Sequence, residues 1–446
     1  MTNLKLETIQ PWTPHPSAAP LTERDDGCFI IRANGTRTCV GGWQMTFAGA
    51  KAERAYLIEV KVEQSEIDNP HDTLRCAAYW GELPPTSVKT GNPEVTGWDY
   101  LLPEQIDTQI LRFQRCLSPE QDDVSLTLRF TLRWSTKGSS TWSLPQIEEA
   151  STDEIPTHMR QSIKIAVVTG KKNQRQSSFT TVDDNISFYA PLCEAASQKN
   201  PSLIVLPEIA LQWGIKGSPI DLAVPVTGPE TEVFADIARR YRLRIMLGML
   251  ERDEDAVYNS AVLISPNGQI DGLYRKVHLA VGGEIESGIS PGEGFPVFET
   301  EIGRIGCNIC MDSSVTESSR MVGLNGADFL LLPIMGDHRA WQPGLRIFDP
   351  DRFRGIMQTR AMDNQVCMVV AVNRTEGSCI IDRLGNVLAW NHGEKEFILA
   401  EINVSDGYRP ASKGCFRSIN WMQRRPHLYQ VFVDNHNQGS LLTKPY

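Results

Sequence analysis

A chain of 446 residues exceeds what one hydrophobic core usually fills, so two domains are expected. Hydrophobic residues make up 41% and charged residues 22%, the balance of a globular protein rather than a disordered one. The formal net charge of -10 argues against a nucleic-acid or anionic-membrane partner. The opening MTNLKLETIQPW carries neither a basic stretch nor an apolar one. No window approaches the roughly 18–20 apolar residues that span a bilayer. A cytoplasmic location is expected, in which the 10 dispersed cysteines stay reduced.

Residues 1–150 read as a β-sandwich-like accessory domain. RAYLIEVKVE and DVSLTLRFTLRW alternate apolar and polar positions between Gly, Pro and Asp punctuation. In the second run Val124, Leu126, Leu128, Phe130 and Leu132 would face a core while the residues between face water. Trp12, Trp43, Trp80, Trp98, Trp134 and Trp142 all fall in this part. They suit a sugar- or partner-binding surface, or, with more weight, core packing.

Residues 151–162 are polar and acidic and read as a linker, after which the pattern changes. From 163 to 408 continuous apolar runs (IKIAVVTG, PSLIVLPE, RIMLGMLE, ADFLLLPI, QVCMVVAVN) alternate with helical spacings (DDNISFYAPLCEAASQKN, ETEVFADIARRY, TESSRMVGLNG, FRGIMQTRAMDN). That alternation predicts layered α/β architecture with strands covered on both faces. YNSAVLISPNGQIDGLYRKVHL predicts a hairpin turning at Asn267-Gly268. Residues 409–446 read as a C-terminal arm suited to an oligomer contact.

RIGCNICMDSS places Cys307 and Cys310 in a C-x-x-C spacing. No second C-x-x-C and no H-x3-H accompanies it, which argues against zinc. In a strand, residues three apart lie roughly 10 Å apart at about 3.3 Å per residue, too far for a disulfide. Cys310 instead closes the strand ahead of Asp312, Ser313 and Ser314, residues that cap helices. At such a helix entry a thiol is expected to be exposed and to have a depressed pKa. This segment alone supports a nucleophile and a packed sheet cysteine equally. Glu208 and Lys276 shift the balance, since each closes an apolar strand where a lone charge is hard to explain as packing. Acid, lysine and thiol at strand ends form a base–cation–nucleophile constellation.

With those three segments (VLPEIAL, YRKVHL and IGCNICMDSSVTE) and the flanking VYNSAVLISPNGQI, ESGISPGEG and QTRAMDNQVCMVVAVNRTEGSCIIDRLGNVLA, the chain resembles the nitrilase superfamily of carbon-nitrogen hydrolases over about residues 163–405. The resemblance implies a four-layer α-β-β-α sandwich, here preceded by the all-β sandwich domain, and assembly into homo-oligomers, dimers or higher. It implies that Cys310 attacks the substrate carbon, Glu208 moves the protons, and Lys276 with the Met311 N–H stabilises the oxyanion. A second, substrate-orienting glutamate is matched to Glu286, with Glu284 as the alternative. No metal and no organic cofactor is required. Met311-Asp312 stands where nitrilases carry Trp-Glu, which favours a small amide or carbamoyl substrate over a nitrile. His338 and Arg339, on the loop after LLPIMGD, are candidates to bind a substrate carboxylate, or are surface residues. His278 is expected to support Lys276, and Trp213 and Trp341 to wall the pocket or pack in the core. Nitrile hydrolysis, acyl transfer on the same residues, and a catalytically silent scaffold binding through the N-terminal domain are the alternatives.

Overall fold

The computed structural model describes residues 4–52, 54–81, 83, 98–119, 121–150, 162–172, 179–281, 283–342, 347–404 and 420–430. The chain divides into two units, residues 1–155 with 408–446 and residues 156–407. The expected linker 151–162 lies outside the described residues but for Ser162, and of the arm only 420–430 is described.

The first unit is a β-sandwich. One sheet runs Lys5–Trp12, Val40–Ala50, Val124–Arg133, Leu74–Trp80, Trp98–Tyr100. The other runs Leu21–Asp25, Cys28–Arg32, Ser139–Trp142, Ala55–Ser65, Ile110–Leu117, Leu102–Gln105, with Gln146–Ala150 also pairing Ala55–Ser65. Alternate residues of both sheets fill one core, in which Trp142 stacks on Phe113 and Phe130. Strand Val124–Arg133 departs from the expected half-buried pattern, because Thr127, Arg129 and Thr131 on its other face are buried too. The Arg129 guanidinium lies over the Trp12 and Tyr79 rings, 4.3 and 5.0 Å from their centroids, and its Nε donates to Gln44 Oε1 at 2.8 Å. Stacking on aromatic faces covers what alternation alone assigns to water. Met422, from the expected arm, packs with Ala77, Tyr79 and Tyr100.

The second unit has two six-stranded mixed sheets. The first runs Ile270–Arg275, Ala256–Ile264, Arg244–Asp253, Leu203–Val205, Ser162–Val168, Phe397–Asn403. The second runs Val297–Phe298, Ile305–Cys307, Phe329–Ile334, Cys367–Val372, Cys379–Ile381, Val387–Trp390. Strands Phe329–Ile334 and Cys367–Val372 are parallel and buried at every residue, as continuous apolar runs require. Four layers follow from three cores. Ile165, Val205 and Met246 of the first sheet meet Ile305, Leu331 and Val369 of the second in one core. Behind the first sheet Tyr189, Cys193 and Phe234 of helices Val182–Ser197 and Pro229–Tyr241 pack on Ile204 and Leu247. Behind the second, Val322, Phe353 and Met357 of helices Thr316–Leu324 and Pro350–Asn364 pack on Leu330 and Val370. The architecture is therefore α-β-β-α. Helix Val182–Ser197 starts at a capping box, with Thr181 Oγ1 accepting from Asp184 N and Asp184 Oδ2 accepting from Thr181 N. Among the described residues no helix is long and apolar enough to cross a membrane.

Candidate active site

Strand Leu203–Val205 ends three residues before Glu208, which is 3% exposed. A methyl group at Gly248, on the neighbouring strand, would stand 2.2 Å from Pro207 O and 3.1 Å from Glu208 Cα. Glycine there lets the Glu208 turn lie directly on the strand. Glu208 Oε1 accepts from Lys276 Nζ at 2.9 Å and from Asn259 Nδ2 at 2.8 Å. Its Oε2 accepts from the N–H of Met335, just beyond strand Phe329–Ile334 of the other sheet, at 3.0 Å. This carboxylate thus joins the two sheets.

Lys276 follows strand Ile270–Arg275 and is 1% exposed. Its N–H donates to Asn259 O and its C=O accepts from Gly292 N. Its ammonium lies 2.9 Å from Glu208 and 2.7 Å from Glu284 Oε2. Burial acts to lower the lysine pKa, but the flanking Glu208, Cys310 and Glu284 outweigh it, and the pKa stands above the ordinary value. The group remains a cation. Asn259 Nδ2 also donates to Glu284 Oε1 at 2.6 Å, so one amide and one ammonium space the two carboxylates.

Strand Ile305–Cys307 ends earlier than expected, and Cys310 opens a 3-10 turn, Cys310–Ser314. Its φ of +44° lies in the left-handed region that L side chains rarely adopt. Asp312, fully buried, supports that turn: it accepts from Ile309 N, His278 N, His278 Nδ1 and Tyr274 OH at 2.9, 2.9, 2.8 and 2.6 Å. Such over-determination sustains local strain. The Cys310 thiol is half-buried, with Sγ 3.7 Å from Gly336 O. A depressed thiol pKa was expected from the helix entry; the structure corrects this. Burial pushes the thiol up, Glu208 adds to the rise, and Lys276 opposes it without prevailing.

Of the residues the sequence singles out, Glu208, Lys276 and Cys310 come together. The carboxylate against the lysine is Glu284, whose Oε2 also accepts from Ala280 N at 2.7 Å. Glu286 is exposed instead, two residues further along the same loop. Met311 is half-buried, and among the described residues its N–H has no acceptor. Arg339 does not present an open fork as expected: its Nε donates to Asp337 Oδ1 at 2.9 Å, its Nη2 to Ser313 O at 2.7 Å and also to Asp337 Oδ2. Asp337, only two residues upstream, takes that fork first. Burial raises the Asp337 carboxyl, but Arg339 outweighs it and holds the pKa below its ordinary value. The His338 side chain lies outside what is described. Cys307 packs between the sheets, and burial pushes its thiol up to about 12. Asp312, read from the sequence only as a helix cap, and Asn259 are the site residues whose parts were missed. Asn259 lies in the VYNSAVLI run, where a buried amide on an apolar strand is the signal.

A family profile described as carbon-nitrogen hydrolase matches residues 164–409. A citrullinase of Francisella tularensis subsp. tularensis is 30% identical over 301 residues, covering 61% of this chain and 98% of that protein. A nitrilase-named protein of Schizosaccharomyces pombe is 28% identical over 264 residues, covering 56% and 92% respectively. An omega-amidase of Xenopus laevis is 25% identical over 268 residues, with coverages of 56% and 92%.

Proposed function

The chain belongs to the carbon-nitrogen hydrolases, in the amidase-like branch of the nitrilase superfamily, and from that premise we propose that it hydrolyses a small amide or carbamoyl compound through a thioester on Cys310. Glu208 takes the Cys310 proton as the sulfur attacks the carbonyl carbon. The oxyanion that forms is stabilised by the Lys276 ammonium and the Met311 N–H, a contribution that is commonly the largest electrostatic one in acyl transfer. Glu208 returns the proton to the leaving nitrogen, the C–N bond breaks and ammonia departs. It then takes a proton from water, whose oxygen attacks the thioester; the C–S bond breaks, the acid product leaves, and Glu208 returns the proton to the Cys310 sulfur. Glu284 orients the substrate nitrogen and keeps Lys276 charged.

The observation that carries this reading is the contact of one buried ammonium with Glu208 and Glu284, with the Cys310 thiol beside them. Burial with a carboxylate base explains how such a thiol reacts at all. The citrullinase match supports a carbamoyl group, and the omega-amidase match a side-chain amide. A homo-oligomer in the cytoplasm, where thiols stay reduced, suits this chemistry.

The test is ammonia release from a panel of amides, ureido compounds and nitriles. Cys310→Ala is expected to abolish it and Cys307→Ala to leave most of it. Equal loss in both variants would sink the single-nucleophile mechanism, and turnover of nitriles alone would replace the amide assignment.

A further inference from the structure

Among the tryptophans of the β-sandwich, Trp134 stands apart. Trp43 and Trp142 are core residues, whereas Trp134 is 50% exposed and has φ +58°. A bulky residue in the left-handed region is an outlier, and such outliers gather where a side chain must be presented. Its N–H donates to Cys39 O at 2.7 Å, which fixes the start of the turn between strands Val124–Arg133 and Ser139–Trp142. The ring stands at the wall of a cavity of about 660 Å³ whose other walls include Arg37, Arg75, Arg425 and Asp72. That volume suits a small-molecule ligand.

The charges around this cavity do not balance. Arg75 is 4% exposed, and its guanidinium donates to the carbonyls of His71, Leu74 and Met422. Carbonyls orient a guanidinium without neutralising it. Burial, with Arg133 nearby, pushes Arg75 down to about 10, and Tyr100 and Asp72 offset only part of that fall. Among the described residues Asp72 is the one carboxylate in the wall, and it is shared between His427 Nδ1 at 2.7 Å and Arg425 Nε at 3.6 Å. Arg37 is exposed and has no ion pair among the described residues. Three guanidiniums therefore face one shared carboxylate. Of the three only Arg75 is enclosed; a buried cation with little counter-charge is costly, and an anion arriving beside Arg37 and Arg425 lowers that cost.

We propose that this cavity binds a small anionic ligand, a carboxylate or phosphate joined to a flat ring, with the anion held by Arg37 and Arg425 and the ring against Trp134. The guanidinium fork matches both oxyanions. An exposed indole offers the apolar face that a flat ring stacks on. The site is independent of the hydrolytic residues, so it stands or falls apart from the activity.

Isothermal titration of the full chain tests it with two ringed anions, adenosine monophosphate and 2-naphthoate, and with inorganic phosphate and adenosine as the separated halves. One ringed anion is expected to bind saturably at one site, about tenfold or more tighter than either half. Which one binds tells phosphate from carboxylate. Arg37→Ala and Trp134→Ala should each weaken it by about tenfold, with an unchanged melting temperature since both side chains are exposed. Added salt should weaken it, and Cys310→Ala should leave it unaltered. No saturable binding of either ringed anion at millimolar concentration, or binding that survives both substitutions, overturns the proposal. So does binding that Cys310→Ala abolishes.

Discussion

In the hydrolase unit the buried ions of the site are paired. Lys276 lies between Glu208 and Glu284, and Asp337 holds Arg339. In the sandwich unit the buried guanidiniums of Arg75 and Arg129 meet carbonyls, an amide oxygen and aromatic rings. Paired charges in a low-dielectric site stabilise one another's ionised forms. Cations satisfied only by neutral groups keep their appetite for an anion. The same residue types are thus paired in the proposed reaction site and left to neutral partners in the proposed binding site.

Lys276→Met is the sharpest way to break that contrast. It leaves Glu208 and Glu284 buried with no cation between them, and removing one partner of a buried pair costs about 3–5 kcal/mol. Loss of an oxyanion donor should lower kcat on the order of 10²–10³-fold. Steady-state kinetics and guanidinium unfolding measure both, and a variant with near-normal kcat would show that the pairing is structural only.

Next in size is the pH dependence of alkylation at Cys310. The thiol is held above its ordinary value, so its thiolate fraction should still climb about tenfold per pH unit beyond pH 8.5, where an ordinary cysteine levels off. Peptide mass spectrometry after iodoacetamide pulses follows it. A plateau near neutrality would mean that Lys276 prevails over burial and Glu208.

Arg129→Met is expected to do least. It strands no carboxylate, only the Gln44 amide oxygen, so the cost should stay near 1 kcal/mol. Unfolding by urea, compared with Lys276→Met, gives the contrast directly. Equal destabilisation would erase the distinction between the two units.

The layered architecture was legible because central strands such as FLLLPI are apolar at every position and helices such as Pro229–Tyr241 keep their own period. Glu208, Lys276 and Cys310 were legible because each interrupts an apolar run. Glu284 was not separable from Glu286, since residues 279–288 carry no periodicity and the contact of Glu284 with Lys276 is tertiary. Arg339 stayed open between a substrate contact and a surface residue, because an arginine on a loop reveals nothing about which carboxylate reaches it first. The state of Cys310 was misjudged for a related reason: the helix entry is visible in the sequence, while burial and a glutamate 102 positions upstream are not. Trp134 is one tryptophan among six by composition, and only its backbone angle and exposure single it out.

The hydrogen bond from Met335 to Glu208 spans the two sheets of the hydrolase unit. Neither sheet holds the set alone: Glu208 rises from one and is steadied by the other, and Cys310 belongs to the second. On the proposed mechanism, turnover therefore requires the two sheets to be closed on each other, and sheets held apart would carry each of these residues without the contacts that let them act together.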